Sequence, residues 1–118
     1  MEILNCTPHP IVYRMGDGND LSFAPSGTIP RVSVEEIPAG QVYIQKPESI
    51  GAFYVETAKV ETGEVTGLPD EENGVLVLVS GMVFAATNRQ DVIAPDTGKS
   101  AIRNEKGQIV AVTRFLRK

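Results

Sequence analysis

Val75-Leu76-Val77-Leu78-Val79 is apolar at every position rather than at alternate ones. Five such residues between turn-forming neighbours predict a central strand covered on both faces, or covered on one face by the chain and on the other by a second subunit. Ser80 follows directly and can cap a helix over 81–87, where Met82, Phe84 and the alanines favour helix and Asn88 suits a left-handed end. A helix of about two turns is marginal alone, so Met82, Val83 or Phe84 must hold it on the sheet.

Outward from this core, Gly, Pro, Asn and Asp interrupt the chain at intervals of roughly 8 to 12 residues, and no other helical pattern is sustained. Short strands are expected at 2–6, 11–14, 21–23, 31–37, 41–44, 53–60, 75–80, 91–93, 101–104 and 108–115. Gly16-Asp17-Gly18-Asn19 and Glu105-Lys106-Gly107 supply the positive-φ residue of a tight hairpin, and Pro25-Ser26-Gly27 suits a proline-led turn. The expected fold is mainly β, a compact sandwich or partly open barrel of about 8 to 10 short strands with one short helix, forming a single domain over 1–118. Asp70-Glu71-Glu72-Asn73-Gly74 reads as a solvated loop.

The composition narrows the function. With 42% apolar and 22% charged residues the chain is built to bury one core. Its net charge of −4 opposes nonspecific binding to nucleic acid and attachment to anionic membranes. Met1 to Thr7 carries no basic, apolar export signal, so a cytoplasmic location is expected. The single cysteine, Cys6, excludes an internal disulfide.

Several motifs resemble chemistry without completing it. Asp96-Thr97-Gly98 matches the aspartic-protease triplet, but Pro95 replaces the strand residue that delivers the aspartate, and too little chain follows; a turn in which Asp96 and Thr97 bond their own backbone is the simpler reading. Gly98-Lys99-Ser100 lacks the earlier glycine of a phosphate loop, Ile93 standing in its place. Cys6 and His9 have zinc half-site spacing but no second pair, so neither metal nor other cofactor is expected. His9, the only histidine, is held between Pro8 and Pro10 and could orient a ligand or exchange a proton near neutral pH. Arg31, Arg89, Arg103 and Arg114 offer planar donor forks suited to phosphate or carboxylate. If they converge they form an anion site; if not, each pairs with a nearby acid.

Asn5-x-Thr7-Pro8-His9-x-Ile11, Pro25-Ser26-Gly27-Thr28-x-x-Arg31-Val32, Gly63-Glu64-Val65-Thr66-Gly67-Leu68-Pro69 and Arg89-x-Asp91-Val92-x-Ala94-Pro95-Asp96-Thr97-Gly98 together resemble a family of short phage and prophage proteins. The resemblance implies a phage origin and brings no catalytic residue with it. By analogy with small phage proteins, the leading expectation is a non-enzymatic binder that sequesters a small anionic ligand, such as a nucleotide-derived immune signal, in pockets of a homo-oligomer. The expected site is Arg31, Arg89 and Arg103 on phosphate, Thr7, His9 and Thr97 as orienting groups, and Tyr54, Phe84 or Phe115 as a stacking surface. Two further readings are a protein-interaction module that inhibits a host protein or serves in the virion through an exposed strand edge, and a nucleotide-acting enzyme using His9.

Overall fold

The computed structural model describes residues 1–45 and 52–118. The chain is mainly β: β1 (Glu2–Asn5), β2 (Ile11–Arg14), β3 (Asp20–Phe23), β4 (Arg31–Gln45), β5 (Ala52–Thr66), β6 (Val75–Leu78), α1 (Gly81–Ala86), β7 (Val92–Pro95), β8 (Ile102–Arg103), β9 (Ile109–Ala111) and β10 (Phe115–Arg117). It divides into two compact units, one of Met1–Val32 with Glu64–Lys118 and the other of Ser33–Gly63. No helix of the described residues is long and apolar enough to cross a membrane.

In the larger unit a four-stranded sheet runs β1-β6-β7-β10, parallel between β1, β6 and β7 and antiparallel between β7 and β10. The apolar run forms β6, an inner strand, as its pattern requires. The strand alternates between two buried faces. Val77 and Val79 pack with Cys6, Val83 and Val92, ringed by Leu4, Val65, Leu68 and Phe84, whereas Leu78 lies between Asn5 and Ile93 in the register, all three almost wholly buried. Burying a Val, Leu or Ile side chain contributes roughly 1.5–3 kcal/mol, so each of these buried residues is a sizeable contribution to the larger unit's stability.

The helix serves as the crossover that two parallel neighbours need: β6, α1 and β7 follow one another, and Val83 anchors α1 to the core. Ser80 caps it, its hydroxyl accepting from the Val83 amide at 3.4 Å. The contact is long, so Ser80→Ala should cost only about 0.5–1 kcal/mol, checked by urea unfolding. The helix stops one residue short of expectation. Thr87 is extended, and among the described residues positive φ occurs only at glycines, so Asn88 does not form a left-handed end; instead the Thr87 hydroxyl accepts from the Arg89 amide.

Both expected hairpins form, β2–β3 around Gly18 and β8–β9 around Gly107, each glycine at positive φ. The sheets of the described residues do not close into a barrel. The expected strand 108–115 is divided into β9 and β10, because Val112 leaves β9 to exchange backbone hydrogen bonds with Val12 and Arg14 of β2 and the Thr113 hydroxyl bonds the Ser100 carbonyl. The expected break at Pro38-Ala39-Gly40 is absent. The chain runs as one 15-residue strand, β4, through Pro38 and a positive-φ Gly40, which a strand with one edge unpaired by any described strand tolerates.

Candidate functional site

The four arginines go to four separate places. Arg89 forms a two-pronged ion pair with Asp91, Nε to Oδ1 at 3.0 Å and Nη2 to Oδ2 at 2.7 Å, with Glu71 3.5 Å away. Arg114 pairs with Asp96. Arg103 donates to the carbonyls of Gly107 and Thr97, tying the β8–β9 hairpin to the preceding turn. Arg31 borders an open groove of about 270 Å³ with Pro8, Pro30, Ser80 and Met82. Neither Arg89 nor Arg103 lines the groove that Arg31 borders. The guanidiniums of Arg89, Arg103 and Arg114 each already have an acceptor.

The orienting groups serve the fold. Asn5 is 2% exposed and all its amide capacity is used: Nδ2 donates to the carbonyls of His9 at 2.9 Å and Phe23 at 2.8 Å, and Oδ1 accepts from the Thr7 amide at 2.9 Å. The Thr7 hydroxyl lies 2.7 Å from Asn5 Oδ1 and 2.9 Å from the His9 carbonyl, one hydrogen serving the two. Thr7 is therefore a buried part of a knot that shapes residues 5–10, and His9 contributes to it through its carbonyl, its residue exposed. Asp96 accepts from the Gly98 amide at 3.0 Å and the Ser100 hydroxyl at 3.2 Å as well as from Arg114. The Asp-Thr-Gly triplet is thus a turn bonded through Asp96 and Gly98, and the Thr97 carbonyl accepts from Arg103. Cys6 is buried, its sulfur 3.7 Å from the Ser26 hydroxyl, and among the described residues no three His, Cys, Asp or Glu are placed to hold a metal ion.

Ion pairing holds three carboxylates below their ordinary range: Asp20 beside Arg14, Asp91 beside Arg89, and Asp96 beside Arg114. A depressed carboxyl stabilises the fold above its unfolded value and loses that contribution as pH falls through the folded value. Thermal midpoints should stay level from neutral pH to about 5 and drop below about pH 4. Asp91→Asn should lower the neutral-pH midpoint, by about 1 kcal/mol of stability, and flatten the acid slope; an unchanged slope would separate that pair from the acid response.

Of the aromatics, Phe84 packs on the core with Lys118 Nζ 4.4 Å above its ring, and Phe115 lies tilted against Tyr13 and edge to face with Phe23. Tyr54 differs. It is 64% exposed and meets Tyr43 edge to face, the ring centroids 5.5 Å apart. Both belong to the smaller unit, in which β4 and β5 form a two-stranded sheet. Its contacts, Gly40 with Thr57, Gln41 with Glu56, Tyr43 with Tyr54 and Ser33 with Gly63, descend along one strand as they climb the other, so the pair is antiparallel. Val34, Ile37, Val42, Tyr43, Phe53, Tyr54 and Val60 are all exposed on it. A two-stranded ribbon is marginal in water without a further strand or a covered face, and each of its strands presents an outer edge that no described strand pairs.

This ribbon is the candidate site. Of the residues named from sequence, Tyr54 lies in the smaller unit and Arg31 begins β4; the aliphatic positions around Tyr54 were legible as strand but not as surface. Comparison with protein-family models, with curated proteins and with solved structures finds no match to the chain.

Proposed function

We propose that the protein is a non-catalytic interaction module that works by stoichiometric association with a polypeptide through the β4–β5 ribbon. One observation carries this reading: seven large apolar side chains stand exposed on a sheet of two long strands whose outer edges no described strand pairs. Monomeric soluble proteins seldom leave more than a few hundred Å² of contiguous apolar surface in water, and larger patches mark interaction sites. The separate engagement of Arg89, Arg103 and Arg114 directs the choice away from a multi-arginine anion pocket within one chain. The phage resemblance is compatible with a small protein acting by occupancy rather than turnover.

Replacing Tyr43 or Tyr54 with photoreactive p-benzoylphenylalanine tests it. Irradiation of the purified chain and of a cell extract should join the ribbon to one polypeptide in a discrete band, while the same probe at exposed Met15 in the larger unit should not. Equal labelling from the two units would remove the ribbon's special role.

A further inference from the structure

We infer that the polypeptide seated on the ribbon is a second copy of this chain, joined through the outer edge of β5 in an antiparallel, two-fold pairing centred on Val60. This rests on the ribbon being the contact surface and adds what covers it.

The two edges are not equivalent. β4 carries Pro38, which has no amide hydrogen to give, and Gly40 at φ 91°; proline and irregular backbone are what proteins place on an edge to prevent pairing. β5 carries no proline and is rich in strand formers, Phe53, Tyr54, Val55, Thr57, Val60 and Thr62. Its edge is the unprotected one.

The exposed side chains stand on both faces, because Tyr43 and Tyr54 pair across one face while their neighbours Val42 and Phe53 alternate to the other. A partner lying flat on one face would leave the other wet. Edge-to-edge pairing extends both faces at once, setting cross-strand neighbours against each other above and below the sheet.

A strand paired antiparallel with its own copy is self-complementary, as a two-fold interface requires. Centring on Val60 puts Val60 opposite Val60 of the second copy and Lys59 opposite Glu61 of the second copy, twice over. Lys59 is the only basic residue among the described residues of the smaller unit, which also holds Glu35, Glu36, Glu56 and Glu61, so this register neutralises a carboxylate on each chain.

Of the exposed apolar residues, Phe53, Tyr54 and Val60 lie on β5 itself, beside the contact.

Sedimentation velocity on the full chain, from micromolar to a few hundred micromolar, should give a species of twice the 12.7 kDa chain mass. Val60→Lys, which sets two like charges face to face, should weaken it more than tenfold, while Val110→Lys at an exposed position of the larger unit should not. Val60→Cys should give an intermolecular disulfide on mild oxidation, since the native Cys6 is buried. Val60 is 63% exposed in the single chain, so these variants fold as monomers, which circular dichroism verifies. A wild-type monomer throughout overturns the second copy, and ribbon probes that still capture another polypeptide would then leave the interaction reading standing. A dimer indifferent to both Val60 variants overturns the β5 edge.

Discussion

Asn5→Asp should lose about 3–5 kcal/mol at neutral pH, a large share of the roughly 5–15 kcal/mol that stabilises a domain of ordinary size. The replacement keeps the shape and the acceptor for the Thr7 amide. It removes both donors, leaving the carbonyls of His9 and Phe23 without the hydrogen bonds they now receive, and sets a negative charge against them in a site 2% exposed to water. Its pH response identifies the cause. A carboxyl buried against two acceptors favours its protonated form, which restores one donor, so its folded pKa lies above its unfolded one. Acid should therefore relieve the variant's deficit relative to wild type as pH falls through that raised value, opposite in sign to the effect at Asp20, Asp91 and Asp96. Urea unfolding at neutral and mildly acid pH measures both, and a deficit independent of pH would mean that the knot is not held by Asn5 donation.

Leu78→Ala should cost about 2–5 kcal/mol. Leu78 is fully buried in β6, with β1 hydrogen-bonded on one side and β7 on the other, so the side-chain space is fixed by three backbones and collapses little when the leucine is truncated. The midpoint in urea should fall with the slope unchanged. A loss below about 1 kcal/mol would mean that neighbouring side chains refill the space and that this face is less rigidly packed than its burial indicates. Leu116→Ala, on a 41% exposed residue at the edge strand β10, provides the contrast and should cost well under 1 kcal/mol.

The fold was legible where local chemistry and tertiary packing agree. Val75 to Val79 could only be a covered strand, and Gly18 and Gly107 could only be hairpin turns, because in each case the sequence pattern carries its own physical reason. The parallel pairing of β1, β6 and β7 was not legible, since a short apolar strand accepts neighbours in either sense and the choice lies in the α1 crossover. Pro38 and Gly40 misled for a related reason. They break a strand whose edges are both paired, and β4 has an outer edge that no described strand pairs.

The site was less legible. An arginine in sequence shows what it can bind but not whether a carboxylate two residues away already holds it, as Asp91 holds Arg89. Thr7, His9 and Thr97 were polar residues in rigid turns; the first turn uses the Thr7 hydroxyl and the His9 carbonyl, and Arg103 donates to the Thr97 carbonyl. Asn5, which organises the first of those turns, carried a readable signal: an asparagine two residues before a threonine, ahead of two prolines, is the setting in which a side chain bonds the backbone two residues on. Exposure on the ribbon had no such signal. Val34, Phe53 and Val60 are good strand residues whether or not another sheet covers them, and only the strand count around them distinguishes a core from a contact surface.

The central claim is that the outer edge of β5 closes against a second copy. Hydrogen exchange followed by mass spectrometry on the wild-type chain tests it most directly, by comparing the amides of 53–63 at high and low protein concentration. Edge amides in that segment should be slow at high concentration and speed up on dilution, while amides of β6 stay slow throughout. Fast exchange of the β5 edge at every concentration, with no change on dilution, would contradict the claim.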